Sequence, residues 1–180
     1  PVKTVVYYEP VFPLSVTAVP YINQELALYQ GSTLAGSVET PCSTVLEAGN
    51  WTLRGDKVLE MDTVEFIGGN DCRLTYAYCE NGEAFSVTSG EETFEMTWTP
   101  QAGDGKSYGQ QIHYTEHYKV EETDNLTEEA TGRWYESGET VTVTAVEPDG
   151  YVFDSWQIVT PEGTYVVTEK ALEFPANQPC

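Results

Sequence analysis

Basic residues are scarce in this chain: eight Lys and Arg face 29 Asp and Glu, a formal net charge of −21. A surface of that sign repels phosphate backbones and anionic lipid headgroups, so nucleic-acid and membrane-surface partners are excluded as expectations. The acidic residues are scattered instead of forming one block, which fits a solvated surface. Long apolar runs are also missing. No stretch reaches the roughly 20 apolar residues that a membrane-spanning helix needs, and the start shows no charged-then-apolar leader. The chain is therefore expected to be soluble, and an opening Pro1 points to a processed mature form or a segment of something longer.

Histidine is limited to two residues, His113 and His117. They sit in the string His113-Tyr114-Thr115-Glu116-His117, which matches the H-x-x-E-H pattern of certain zinc peptidases. That chemistry needs a helix to bring both imidazoles onto one metal. Here Ile112, Tyr114, Tyr118 and Val120 alternate with His113, Thr115, His117 and Lys119, the pattern of a strand carrying its histidines on the polar side. With no G-x-S-x-G elbow and no other histidine, a nucleophile and base arrangement is not expected. Among so many acids, carboxylate pairs at a glycosidase spacing arise by chance. Gly68-Gly69 lacks a following helix or Lys, so it reads as a turn and not as a phosphate loop. The acidic loop Glu121 to Glu129 lacks calcium-loop spacing. No catalytic residue, cofactor or metal is assigned.

Four cysteines, Cys42, Cys72, Cys79 and Cys180, show no Cys-x-x-Cys pair, which disfavours zinc and favours disulfides. Cys72 and Cys79 lie on one expected strand, about 23 Å apart at roughly 3.3 Å per residue, and should not bond each other. Cys42 is the natural partner of one of them. Cys180 is left to the other, or to a second copy of the chain.

What the chain has in abundance is β signal: alternating runs rich in Val, Thr, Tyr, Phe and Trp, broken by Gly, Pro, Asn and Asp. Phe94, Met96 and Trp98 share one face of a strand, as do Val141, Val143 and Ala145 of another. The expected fold is all-β, with antiparallel sheets, one face of each buried. Asn81-Gly82 marks a hairpin turn after the run Cys72 to Cys79. The one helical expectation is short, from Asn23 through Leu26 and Tyr29 to Gly31. The polar, glycine-rich PQAGDGKSYG from Pro100 to Gly109 suggests a division into a β-sandwich-like domain, residues 1–107, and a second β module, residues 108–180.

From Gln110 to Pro179 the residues fall into an ordered set: Gly132, then Tyr135, Gly138 and VTVTA from Val141, then Pro148, Gly150, Tyr151, Phe153 and Trp156, then FPANQ from Phe174. This set resembles the divergent internalin-type B-repeat, a small β-grasp-like module of bacterial surface proteins. Phe174-Pro175 stands where a Met-Pro pair is usual. The resemblance implies a repeated spacer or adhesive unit without a shared catalytic site. Independently of it, Gly138 and the stretch Pro148 to Gly150 read as turns. Trp98, Phe153 and Trp156 read as core anchors, Trp156 on a strand beginning near Tyr151, because small cores need large aromatics.

Asn50-Trp51-Thr52 and Asn125-Leu126-Thr127 fit the acceptor pattern for N-glycosylation, with Asn50 and Asn125 on exposed loops. The expected function is a non-catalytic structural or adhesive segment at a cell surface, with protein or glycan ligands or other copies of itself as partners. An alternative is a filament subunit. Val2 to Tyr8 reads as a strand followed by Pro10 and Pro13, either an ordinary first strand or one donated to a neighbouring copy. A third class is a secreted glycan-active enzyme using exposed aromatics as a sugar platform.

Overall fold

The computed structural model describes residues 2–61, 70–81, 86–101 and 107–180. Among them are fifteen strands and no helix, so the fold is all-β. The chain packs into two compact units that are not consecutive stretches of sequence: Pro1–Lys57 with Tyr76–Tyr114, and Val58–Thr75 with Thr115–Cys180. The glycine-rich stretch around which the sequence suggests a division at residue 107 lies largely outside the described residues. So do Gly68-Gly69 and the turn expected at Gly82.

In the first unit, β1 (Val11–Val19), β2 (Glu25–Gln30), β3 (Thr33–Glu39), β4 (Cys42–Glu47) and β5 (Trp51–Asp56) follow one another along the chain. They are joined by β8 (Ser86–Ser89), β9 (Thr93–Trp98) and parts of β7 (Cys72–Asn81) and β10 (Tyr108–Glu122). One sheet runs β3-β2-β5-β9-β8, and the other has β4-β1-β10-β7 in order. Alternation decides which residues face inward. Phe12, Leu14, Val16 and Ala18 of β1 are buried while Val11 and Val19 are exposed. On the other sheet Leu26, Leu53, Phe94, Met96 and Trp98 are buried. The two inner faces meet where the Tyr76 ring stacks on Phe94, centroids 4.2 Å apart, and where the Tyr114 hydroxyl donates to the Gln24 side chain. This is the geometry of a β-sandwich.

Two expectations are corrected here. The residues read as a short helix form β2, which pairs with β3 on one side and β5 on the other. So short a segment cannot offset the cost of nucleating a helix, whereas β3 pairs Glu25–Gln30 on one side and β5 pairs residues 27–30 on the other. Gly31 does stop the element, but with φ 58° it turns β2 into β3 instead of capping a helix. Pairing is also not antiparallel throughout, since β1 and β10 are parallel from Leu14↔Tyr108 to Val19↔His113. Pro13, which has no N–H to give, lies just ahead of that ladder.

The second unit holds β6 (Val58–Met61) against the start of β7, the end of β10 against β11 (Thr131–Glu136), and two further pairs. Those pairs are β12 (Thr140–Thr144) with β15 (Ala171–Pro175) and β13 (Trp156–Thr160) with β14 (Gly163–Val167). Its core gathers Val120, Tyr135, Val141, Val143 and Ala176, with Trp156, Leu172, Phe174 and Cys180 packed against it. Gly138 (φ 86°) and Gly150 (φ 84°) occupy the positive-φ positions that the turns read from sequence require.

Candidate functional site

The H-x-x-E-H string lies on β10, an extended strand. Four residues along it separate the two histidines by about 13 Å, too far for both to ligate one ion. Each imidazole is used locally. His113 Nε2 is 3.1 Å from a Glu80 carboxylate oxygen, and its ring stacks on Tyr78 with centroids 4.4 Å apart. His117 Nε2 lies 3.1 Å from the Thr75 hydroxyl. Both rings are half-buried under these neighbours, where the sequence reading had them on an open polar face. Glu116, which would be the peptidase base, is on the opposite face and accepts from the Tyr118 hydroxyl. Among the described residues no group of three or more His, Cys, Asp or Glu side chains could hold a metal ion.

The polar side of the second unit carries a compact cation arrangement. Arg73 on β7 donates to Glu60 of β6 at 2.5 and 3.0 Å while its guanidinium lies 4.3 Å from the Trp134 ring centroid. Planar stacking plus a paired carboxylate suits Arg specifically. The group ties β6, β7 and β11 together.

All four cysteines are free thiols, so no disulfide of the kind expected from the sequence is present. Cys42 stands opposite Val16 on β4, and Cys79 accepts from the Tyr76 hydroxyl at 3.7 Å. Cys72 is buried at the start of β7. Cys72 and Cys79 do share one strand, as expected. Burial raises all four thiols above the ordinary cysteine range. Cys180 is held by backbone instead of by sulfur: its N–H donates to Lys119 O at 3.1 Å and its carbonyl accepts from Glu121 N–H at 2.8 Å.

Of the three expected anchors, Trp98 is buried, while Phe153 and Trp156 are half-buried, their rings 5.7 Å apart. Trp156 opens β13; no strand begins near Tyr151, because the stretch from Val146 to Ser155 is irregular. Glu147 organises that stretch, accepting from Phe153 N–H and pairing with Lys170, which together hold its carboxyl below the usual range. Asn50 and Asn125 are both exposed in loops. Beside Asn125, the Asp124 carboxylate accepts from Thr127 and Leu126 N–H at 2.7 and 2.8 Å, which lowers its pKa and closes a local turn.

Residues 2–10 join no strand of their own chain, which corrects the reading of Val2 to Tyr8 as an ordinary first strand, and their apolar side chains are open to solvent: Val2 is 98% exposed and Tyr7 and Tyr8 are each 88% exposed. In the second unit Val146, Val152 and Val166 are exposed, although nothing in their alternation sets them apart from core valines.

Residues 119–175 match the family model for the divergent InlB B-repeat domain, a domain typical of bacterial surface proteins. The match runs from the latter part of β10 to the end of β15 and leaves the N-terminal part without a family. Neither curated proteins nor solved structures give a match to the chain. No helix of the described residues is long and apolar enough to cross a membrane.

Proposed function

We propose that this chain is a non-catalytic structural or adhesive module of a bacterial surface protein, acting as scaffold, stalk or adhesin segment outside the cell. The observation that carries this reading is the B-repeat match, which falls within a compact unit with its own core. The side chains best suited to chemistry also support it, being engaged in the fold: the histidines with Glu80, Tyr78 and Thr75, and Glu116 with Tyr118. A charge of −21 favours protein or glycan ligands over nucleic acid or membrane. Brief protease treatment of intact cells, followed by mass spectrometry of the released peptides, tests the placement. Peptides of this chain should appear before lysis, and their appearance only after lysis would overturn it.

A second reading is favoured by residues 2–10, an exposed apolar segment that joins no sheet of its own chain. It fits a strand given to a neighbouring copy, with Pro10 keeping its end extended ahead of β1. On this reading the native protein forms filaments under electron microscopy, and deleting residues 2–8 leaves monodisperse particles with an unchanged melting temperature. Filaments that persist after the deletion would sink it.

A further inference from the structure

We infer that Cys72 and Cys180 form an intramolecular disulfide under oxidising conditions, fastening the last residue of the chain beside the start of β7. The inference rests on three backbone hydrogen bonds around one residue of β10. Lys119 N–H donates to Asp71 O at 3.0 Å, Lys119 O accepts from Cys180 N–H at 3.1 Å, and Glu121 N–H donates to Cys180 O at 2.8 Å. In an extended strand the N–H and C=O of one residue, and the N–H two residues on, all open toward the same edge. Asp71 and Cys180 therefore follow one another along a single edge of β10, with Cys180 continuing the line of β7 beyond its first residues.

That register sets the side chains. Cys180 stands opposite Val120, and Cys72, one residue past Asp71, stands opposite Tyr118. The two cysteines are thus two positions apart along one strand line and point to the same face. Their Cα atoms are separated by roughly 7 Å, just beyond the usual disulfide span of about 4.4–6.8 Å, so closure requires the backbone at Cys180 to shift toward Cys72. The shared face is the buried one: Cys72 and Val120 are buried, and Cys180 packs against the cluster containing Val120, Tyr135 and Val141. No other pairing within either unit is open. Cys42 on β4 and Cys79 on β7 have β1 and β10 between them, roughly 14 Å at the usual strand spacing.

The oxidant is a disulfide of a thiol oxidoreductase or of a small molecule. The Cys180 thiolate attacks one oxidant sulfur, forming a mixed disulfide and releasing the other sulfur as thiolate. The Cys72 thiolate then attacks Cys180 Sγ and expels the second oxidant thiolate. Two protein thiols lose two protons and two electrons, and the oxidant leaves as a dithiol. Both thiols are raised by burial, Cys72 further by Glu116 and Asp71 and Cys180 by Glu122, so little thiolate is present at neutral pH and closure is slow.

The test uses the full reduced chain, folded, incubated with oxidised dithiothreitol at mildly alkaline pH, alkylated and digested without reductant. The expected product links the Cys72 and Cys180 peptides within one chain, weighs two hydrogens less than the reduced form, and carries alkylated Cys42 and Cys79. Cys180→Ser should abolish the mass loss, and exchange of the Glu121 amide should slow about tenfold on oxidation. Linkage of Cys180 to Cys42, to Cys79 or to a second copy would overturn the inference. So would four alkylated cysteines after oxidation, or Glu121 exchange that the oxidation leaves unchanged.

Discussion

Gly55→Ala should destabilise the first unit although it adds one methyl group and removes none. Gly55 lies on β5 directly across from Phe94 of β9. A Cβ there would stand 2.7 Å from Phe94 Cζ and 2.8 Å from both Phe94 Cε1 and Leu26 Cδ2. Unstrained carbon contacts begin near 3.5 Å, so the ring must retreat by roughly 1 Å. It has nowhere to go, because Phe94 and Leu26 are each 0% exposed and the other face of the ring is covered by Tyr76. Overpacking of this kind costs about 1–3 kcal/mol, and Ala returns about 0.4–1 kcal/mol by restricting the unfolded chain. The net loss is about 1–2 kcal/mol, which lowers a urea midpoint by roughly 0.5–1 M at ordinary slopes. Urea unfolding followed by tryptophan fluorescence reads this directly, since Trp51 and Trp98 lie on the same two strands. Phe94→Leu should cost less in the Gly55→Ala background than alone, with a coupling of at least about 0.5 kcal/mol. An unchanged or raised midpoint, or strict additivity, would show that the Phe94 ring does not lie over Gly55 and would refute the sandwich packing.

Trp156→Ala, which uncovers the Val141 cluster but removes a half-buried ring, should cost about 2–3 kcal/mol in chemical denaturation, below the value for a fully buried aromatic. An unchanged midpoint would make Trp156 a surface residue. Replacing both His113 and His117 with Gln removes one contact to the exposed Glu80 carboxylate, the stacking of His113 on Tyr78 and one hydroxyl contact, all on half-buried rings, so the loss should stay under about 1.5 kcal/mol. A loss above about 2 kcal/mol would reveal a core or metal role. Burial raises the hydroxyls of Tyr76, Tyr114 and Tyr118 and the thiols of Cys72 and Cys180. A group whose pKa is higher folded than unfolded stabilises fully below its unfolded pKa, and that contribution is lost as pH rises. Melting temperature should therefore fall above about pH 9, first through the thiols and then the phenols, and a flat profile to about pH 11 would contradict the burial.

Strands whose alternation is complete were legible in the sequence. Phe94, Met96 and Trp98 are all buried on one face, and Val141 and Val143 do the same for β12. Turn glycines were legible for the same reason, since Gly138 and Gly150 are needed for their backbone angle and not for any partner. The β2 segment reads as helix because Leu26 and Tyr29 stand at a helical spacing, and a register shift at Leu28/Tyr29 breaks the alternation that marks a strand; the choice is made by pairing with β3 across the turn at Gly31 and with β5. The parallel β1 and β10 ladder joins residues more than ninety positions apart, and no local pattern encodes such a partner. The histidines were placed on the correct kind of element, but Tyr78, Glu80 and Thr75, which cover them, come from β7. The anchorage of Cys180 was also hidden, because backbone hydrogen bonds carry no residue signature.

Immunogold labelling of sectioned native cells, with antibodies raised against the folded chain, tests the surface-module reading most directly. Gold should lie on or beyond the outer face of the envelope, as particles or along fibres. Gold confined to the cell interior would contradict the account.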